Sequence, residues 1–233
     1  MVVGCFGTHD ELKSATPTRI LECCDIAEIR LDLLTSHATT PTPSLWHHLH
    51  HVPLLFTARR PDEGGGHSLT ATQRCAMLKP ALDHAAWIDI EVASLNEMPD
   101  ILEAMKLRHT PWLASFHDFV KLPDFKVLDD AVRRARDAGA SVFKVAAMLK
   151  SPDDLARLAQ FQLADHGLPV ATMGMGPLAA VSRLLCAQCG SVFNYGYLGN
   201  IATAPGQWDA ALLKQLIARL VPLNDGDTFP TPP

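Results

Sequence analysis

With 233 residues, 48% of them hydrophobic and 19% charged, the chain has material for one large core or two small ones and is not disordered. A formal net charge of −5 without a basic stripe argues against nucleic acid as a partner. No apolar stretch approaches the roughly 20 residues needed to span a bilayer, and Met1-Val2-Val3-Gly4-Cys5-Phe6 lacks the basic start and the length of a signal peptide, so the chain reads as cytoplasmic.

Apolar or alternating runs recur roughly every 25–30 residues, separated by helix-length amphipathic segments. They fall near residues 2–6, 26–31, 53–58, 86–92, 111–116, 141–146, 168–173 and 191–195, which makes eight expected strands. Helices are expected over 124–138 and 151–166. The first of these stops at Gly139, a residue suited to the turn past a helix end. The second opens Ser151-Pro152-Asp153-Asp154, with a capping serine, proline in first position and acids in the first turn.

Eight strand–helix pairs in this length predict an α/β fold of the single (β/α)8 barrel type, with residues 1–233 as one catalytic domain. A doubly wound open sheet would want a glycine-rich dinucleotide loop after the first strand, and Gly4-Cys5-Phe6-Gly7 does not provide one. The Pro-rich stretch 225–233 reads as a frayed tail.

The six cysteines show no regular framework and read as free thiols. Cys186-Ala187-Gln188-Cys189 falls in an expected helix with no second ligand pair, and His47, His48, His50 and His51 sit on a short helix where they would face water. Neither makes a built metal site, so no metal is expected.

In a barrel of this kind active-site groups gather at the C-terminal ends of strands. Glu28, Arg30 and Asp32, spaced two apart, are expected on one face of the second strand. The third strand leads to Arg59, Glu63 and Gly64-Gly65-Gly66, the fourth carries Asp89 and Glu91, and the fifth ends in Ser115 and His117. Asp32, Asp89 and Glu91 could equally form a buried ion-pair network. The three glycines have no P-loop lysine after them and read as a loop, not a phosphate cradle. Gly174 and Gly176, with Arg183 nearby, could hold an anion such as a substrate carboxylate.

Lys144 lies in Ser141-Val142-Phe143-Lys144-Val145-Ala146-Ala147-Met148, a run with the alternation of a buried strand. Such a lysine must snorkel, pair with a carboxylate, or be kept neutral, and burial alone favours the neutral amine. With His117 one strand earlier, a desolvated amine suggests Schiff-base chemistry on a carbonyl substrate.

Six segments in order resemble the type I 3-dehydroquinate dehydratases, the lysine-dependent class of the shikimate pathway. They are Glu28-Ile29-Arg30-Leu31-Asp32, Phe56-Thr57-Ala58-Arg59 with Glu63-Gly64-Gly65, Ser115-Phe116-His117-Asp118-Phe119, Phe143-Lys144-Val145-Ala146, Met173-Gly174-Met175 with Ser182-Arg183, and Ala204-Pro205-Gly206-Gln207. The resemblance implies Lys144 as the imine-forming residue, His117 as the proton shuttle and Glu63 as the group that orients it. It implies Glu28, Arg30 and Arg59 as contacts to ring hydroxyls, and Arg183, Thr203 and Gln207 as carboxylate and lid contacts. It further implies 3-dehydroquinate as the small-molecule substrate, no cofactor, and a homodimer. Where the family often has a hydroxyl side chain at the end of the first strand, this chain has Gly4 and Cys5. The segment Tyr195-Gly196-Tyr197 is also spaced one residue longer, which leaves its aromatic contact unassigned. A class I aldolase or transaldolase-like barrel would favour a phosphate site over Arg183 with Gln207. A non-catalytic sensor would be expected to lack Lys144 or His117.

Overall fold

A computed structural model describes residues 1–35 and 41–221, so the expected tail at 225–233 lies outside the described residues. Eight parallel strands run β1 (Val2–Phe6), β2 (Ile26–Arg30), β3 (Leu54–Thr57), β4 (Trp87–Glu91), β5 (Trp112–Asp118), β6 (Val142–Met148), β7 (Val170–Met175) and β8 (Asn194–Tyr197). Helices α1 (His9–Ser14) and α2 (Pro17–Cys23) follow β1, and α3 (Leu31–Leu34) follows β2. Helices α4 (Ala71–Ala81), α5 (Pro99–Arg108), α6 (Phe125–Asp137), α7 (Pro152–Leu163), α8 (Ala179–Gln188) and α9 (Ala210–Ile217) each lead away from one of β3 to β8.

The local signals act as expected. The Ser151 side chain accepts from the Asp154 amide to open α7. Past α6, Gly139 adopts φ +81°, the left-handed turn that a side chain would resist. The histidine-rich stretch forms two short 3-10 turns, Pro43–Leu45 and His47–Leu49, in which Trp46 and Leu49 are buried and the four histidines are exposed. Cys186 is buried on α8 and Cys189 caps its end, so the CxxC pair straddles the helix terminus.

Strand order β7-β6-β5-β4-β3-β2-β1-β8 makes a nearly closed barrel with one seam, between β7 and β8. Side chains stitch that seam. The Thr172 amide donates to Ser191 Oγ at 3.2 Å and the Gly174 amide to Ser182 Oγ at 2.9 Å. Arg183 spans the gap: its Nε donates to the Tyr195 carbonyl on β8 and its Nη1 to the Gly174 carbonyl on β7, both at 2.9 Å. Backbone groups that a ladder would have paired are thereby satisfied.

Two apolar clusters build the core. The larger fills the space between strands and helices, with residues such as Ile29, Phe56, Ile90, Phe143 and Phe161. The smaller lies inside the barrel, where Val3, Ile26, Leu55, Leu113, Val142 and Phe193 close the N-terminal end. Trp87 packs edge-on against Phe193 there, ring centres 5.0 Å apart. The opposite end is polar, and the register shows why. Inward positions recur every second residue, so neighbouring strands set Cys5 beside Glu28, Thr57 beside Asp89, Glu91 beside Ser115, and Ser115 beside Lys144.

Two sequence expectations need correction. The eighth strand runs over Asn194–Tyr197, not 191–195: Ser191 to Phe193 lead into it, and the Val192 amide reaches the Val170 carbonyl at 3.1 Å. Strand β2 also ends at Arg30, so Asp32 belongs to α3 and does not share the strand's inward face.

Candidate active site

One pocket at the C-terminal mouth of the barrel gathers every residue assigned to the site from sequence: Lys144, His117, Glu63, Glu28, Arg30, Arg59, Arg183, Thr203 and Gln207. Lys144 enters from the middle of β6 and is 4% exposed. Its Nζ lies 3.1 Å from Asp89 Oδ2 and 4.1 Å from the centre of the Tyr195 ring. The amine is dry, as expected, but it has a carboxylate partner fifty-five positions earlier in the chain.

Asp89 is the hub beneath it. Arg59 grips both of its oxygens, Nη1 to Oδ1 at 3.0 Å and Nη2 to Oδ2 at 2.6 Å, and Ser115 Oγ donates to Oδ1 at 2.5 Å. Burial alone would push this carboxyl up, but Arg59 and then Lys144 outweigh it and hold it well below the ordinary carboxylate range. Arg59 Nη1 also donates to Glu91 and Ser115, so its Nη1 is held by barrel groups on β4 and β5. On the far side of Glu91, Arg74 donates to Oε2 at 2.7 Å. Asp89 and Glu91 therefore do form a buried ion network. Asp32 extends the pattern by holding Arg30 through Nε at 2.9 Å and Nη2 at 2.7 Å, and by accepting from the Arg59 and Gly66 amides. Such networks fix geometry more than they add stability.

His117 and Glu63 form a second unit. Glu63 ends a 3-10 turn after β3, and its Oε2 accepts from the His117 main-chain amide at 2.9 Å. The same oxygen lies 2.9 Å from His117 Nδ1. Burial pushes the Glu63 carboxyl up to about 7, against the pull of Arg59. Burial, then Arg59 and Lys144, hold the imidazole well below its usual 6.5. His117 is thus neutral at neutral pH, with Nδ1 committed to Glu63 and Nε2 left to act.

Arg183 is the one buried cation of the pocket without a carboxylate among the described residues. Burial lowers it to about 10, and only the thiols of Cys5 and Cys186 oppose that. An anionic ligand would supply what the fold withholds. The glycines beside it do not serve as an anion nest, because the Gly174 amide is taken by Ser182 Oγ and the Gly176 amide by the Pro205 carbonyl at 3.2 Å. The amides of Gly64, Gly65 and Gly66 are likewise spent on Pro61, Arg60 and Asp32.

The loop between β8 and α9 roofs the pocket. Gln207 Oε1 accepts from the Thr203 amide and hydroxyl at 2.9 and 2.8 Å, and its Nε2 reaches Cys5 Sγ at 3.6 Å. Gly206, at φ +73°, lets this loop lie on the β7–α8 connection, where a Cβ would stand 2.5 Å from the Gly176 carbonyl. Glu28 accepts from Thr57 Oγ1 at 2.7 Å on the pocket floor. Tyr195 and Phe119, to which the sequence gives no role, also line the pocket. The even spacing of Phe193, Tyr195 and Tyr197 was the available signal for the first.

Comparison with known proteins adds a family to this geometry. The model of a family described as type I 3-dehydroquinase matches residues 6–220. A 3-dehydroquinate dehydratase of Haloquadratum walsbyi is 33% identical over 207 residues, 84% of each chain. One from Methanothermobacter thermautotrophicus is 31% identical over 216 residues, 92% of this chain and 94% of its own. Among solved structures, the 3-dehydroquinate dehydratase of Geobacillus kaustophilus superposes with a TM-score of 0.82 at 24% identity, covering 93% of this chain and 89% of that one.

Proposed function

The chain belongs to the type I 3-dehydroquinase family, and on that footing we propose that it is a carbon–oxygen lyase that removes water from 3-dehydroquinate through an imine on Lys144. The observation that carries this reading is the meeting of three groups in one pocket: the buried Lys144 amine, the His117 imidazole held by Glu63, and Arg183 without a carboxylate of its own. A substrate with both a ketone and a carboxylate answers all three.

In this scheme Lys144 adds to the ketone as the free amine; the carbonyl oxygen leaves as water with one proton from nitrogen and one from the medium, and an iminium remains. The iminium draws electrons from the adjacent carbon far better than a ketone does. His117 Nε2 takes the proton from that carbon, and the Glu63 carboxylate at Nδ1 steadies the imidazolium. The same proton then leaves with the departing hydroxyl as a second water. Hydrolysis of the new imine consumes one water and frees the enone, 3-dehydroshikimate. General acid–base help of this kind is worth about 10²–10⁴-fold.

Glu28 and Arg30 hold ring hydroxyls, Arg183 binds the carboxylate, and Thr203 with Gln207 closes the roof. Arg59 also fixes Asp89 and Glu91 through Nη1 and Nη2. Every step uses side chains of this chain, so the scheme requires no cofactor. As part of the same reading the protein acts in the cytoplasm as a homodimer; no helix among the described residues is long and apolar enough to cross a membrane.

Mixing the protein with 3-dehydroquinate and following absorbance tests the reaction. Growth of an enone band supports the dehydratase, whereas cleavage of a phosphorylated ketose in its place would favour an aldolase. Binding without turnover of either would favour a sensor.

A further inference from the structure

Tyr195 has two properties that its place in the barrel does not explain. Its ring face lies 4.1 Å from Lys144 Nζ, with both side chains buried. Its hydroxyl is buried without a hydrogen-bond partner among the described residues. A leucine or methionine would fill this position without stranding a polar atom, so the ring face itself is the feature that needs an account.

The Lys144 nitrogen is flanked by the Asp89 carboxylate and by this ring. Both favour positive charge on the nitrogen, the ring through its negative face. Imine formation passes from an uncharged carbinolamine nitrogen to a cationic iminium nitrogen. The Lys144 amine first adds to the ketone carbon, one nitrogen proton passing to the carbonyl oxygen, and gives a carbinolamine whose nitrogen is uncharged. That nitrogen's lone pair then forms the C=N bond as the C–O bond breaks, and the hydroxyl leaves as water with a proton taken from the medium. We propose that the ring face of Tyr195 draws this second step forward, so that the covalent complex rests as iminium and not as carbinolamine. Tyr195 is then a further catalytic residue, in contact with the reacting nitrogen. The inference rests on Lys144 being the imine-forming residue.

The test replaces Tyr195 by phenylalanine and then by mono-, di- and trifluorophenylalanine. Each fluorine weakens the negative ring face at nearly constant volume, and loss of the hydroxyl breaks no hydrogen bond within the protein. Borohydride reduces an iminium and spares a carbinolamine, so its rate of trapping at saturating 3-dehydroquinate reports the resting form. The expected result is a graded fall in trapping rate with fluorine number, about ten-fold across the series, as for a desolvated cation–π contact. A role in packing alone would leave the rate flat, and a flat series with a normal adduct in the unsubstituted protein overturns the inference while sparing the reading beneath it. No adduct on Lys144 in the unsubstituted protein overturns both.

Discussion

Glu63→Gln keeps an oxygen where His117 needs one and removes a charge that burial disfavours. The amide oxygen can still accept from the His117 main-chain amide and from Nδ1–H, which Glu63 Oε2 meets at 2.9 Å each. Burial raises the carboxyl from 4.5 to about 7, which corresponds to about 3 kcal/mol held against the ionised form in the fold. Between those values the folded protein binds a proton that the unfolded chain has released. The stability from Glu63 is therefore complete below about pH 4.5 and lost as pH rises through about 7. At about pH 8 the parent carries the whole cost and the glutamine variant none. We expect the variant to be more stable there by up to about 3 kcal/mol, roughly 5–10 °C in Tm for a chain of this size, and to match the parent near pH 4. Activity should move the other way. Without a carboxylate beside Nδ1 the imidazolium loses a charge-assisted bond, about 1–1.5 kcal/mol or ten-fold in kcat. The parent should also lose kcat as pH falls through about 7, because Glu63 takes up a proton; His117, held well below 6.5, is not the source. The variant should lack that acid limb. Thermal melts near pH 4 and pH 8, with a kcat profile between about pH 5 and 9, check both. Equal melting near pH 8, or a limb with its midpoint unmoved, would refute the reasoning.

His117→Ala should cost about 10²–10⁴ in kcat while borohydride still traps substrate on Lys144, whose neighbours Asp89 and Tyr195 are untouched; parent-like turnover would remove His117 from the chemistry. Arg183→Leu takes the side-chain donors from the carbonyls of Tyr195 and Gly174, while the Ala179 carbonyl keeps Ser182 Oγ, and should destabilise by several kcal/mol, at about 1–3 per stranded group. It should also raise KM at least ten-fold, and a lower Tm with KM unchanged would make Arg183 a seam stitch only. Gly206→Ala puts a methyl 2.5 Å from the Gly176 carbonyl at φ +73°, so the roof over Thr203 and Gln207 must lift; KM should rise several-fold, with melting changed by about 1–3 kcal/mol, and an unchanged KM would take the roof out of binding.

All eight strands were legible because parallel strands covered on both faces read as apolar runs, and the chain breaks those runs with caps such as Ser151 and Gly139. The eighth begins three residues later and ends two residues later than its apolar run. Val192 and Phe193 carry the apolar signal, but the pairing falls on Asn194–Tyr197, where β1 offers its edge. The site residues were legible one strand end at a time. What the sequence could not display was pairing across the barrel. Lys144 meets Asp89 from two strands away, and Arg59 reaches β4 and β5 through Nη1, because closure of the ring sets distant residues face to face. Asp32 looked like a strand residue by spacing and is instead the helix carboxylate that fixes Arg30. Gly174 and Gly176 looked free to bind an anion, but Ser182 and Pro205 occupy their amides, and only the folded loop reveals that.

The most direct test of the account is where the substrate becomes attached. Protein saturated with 3-dehydroquinate, reduced with borohydride and digested, should yield one modified peptide, with the added mass on Lys144, and Lys144→Met should neither trap nor turn over. A reduced adduct on another residue, or enone formation by the methionine variant, would contradict it.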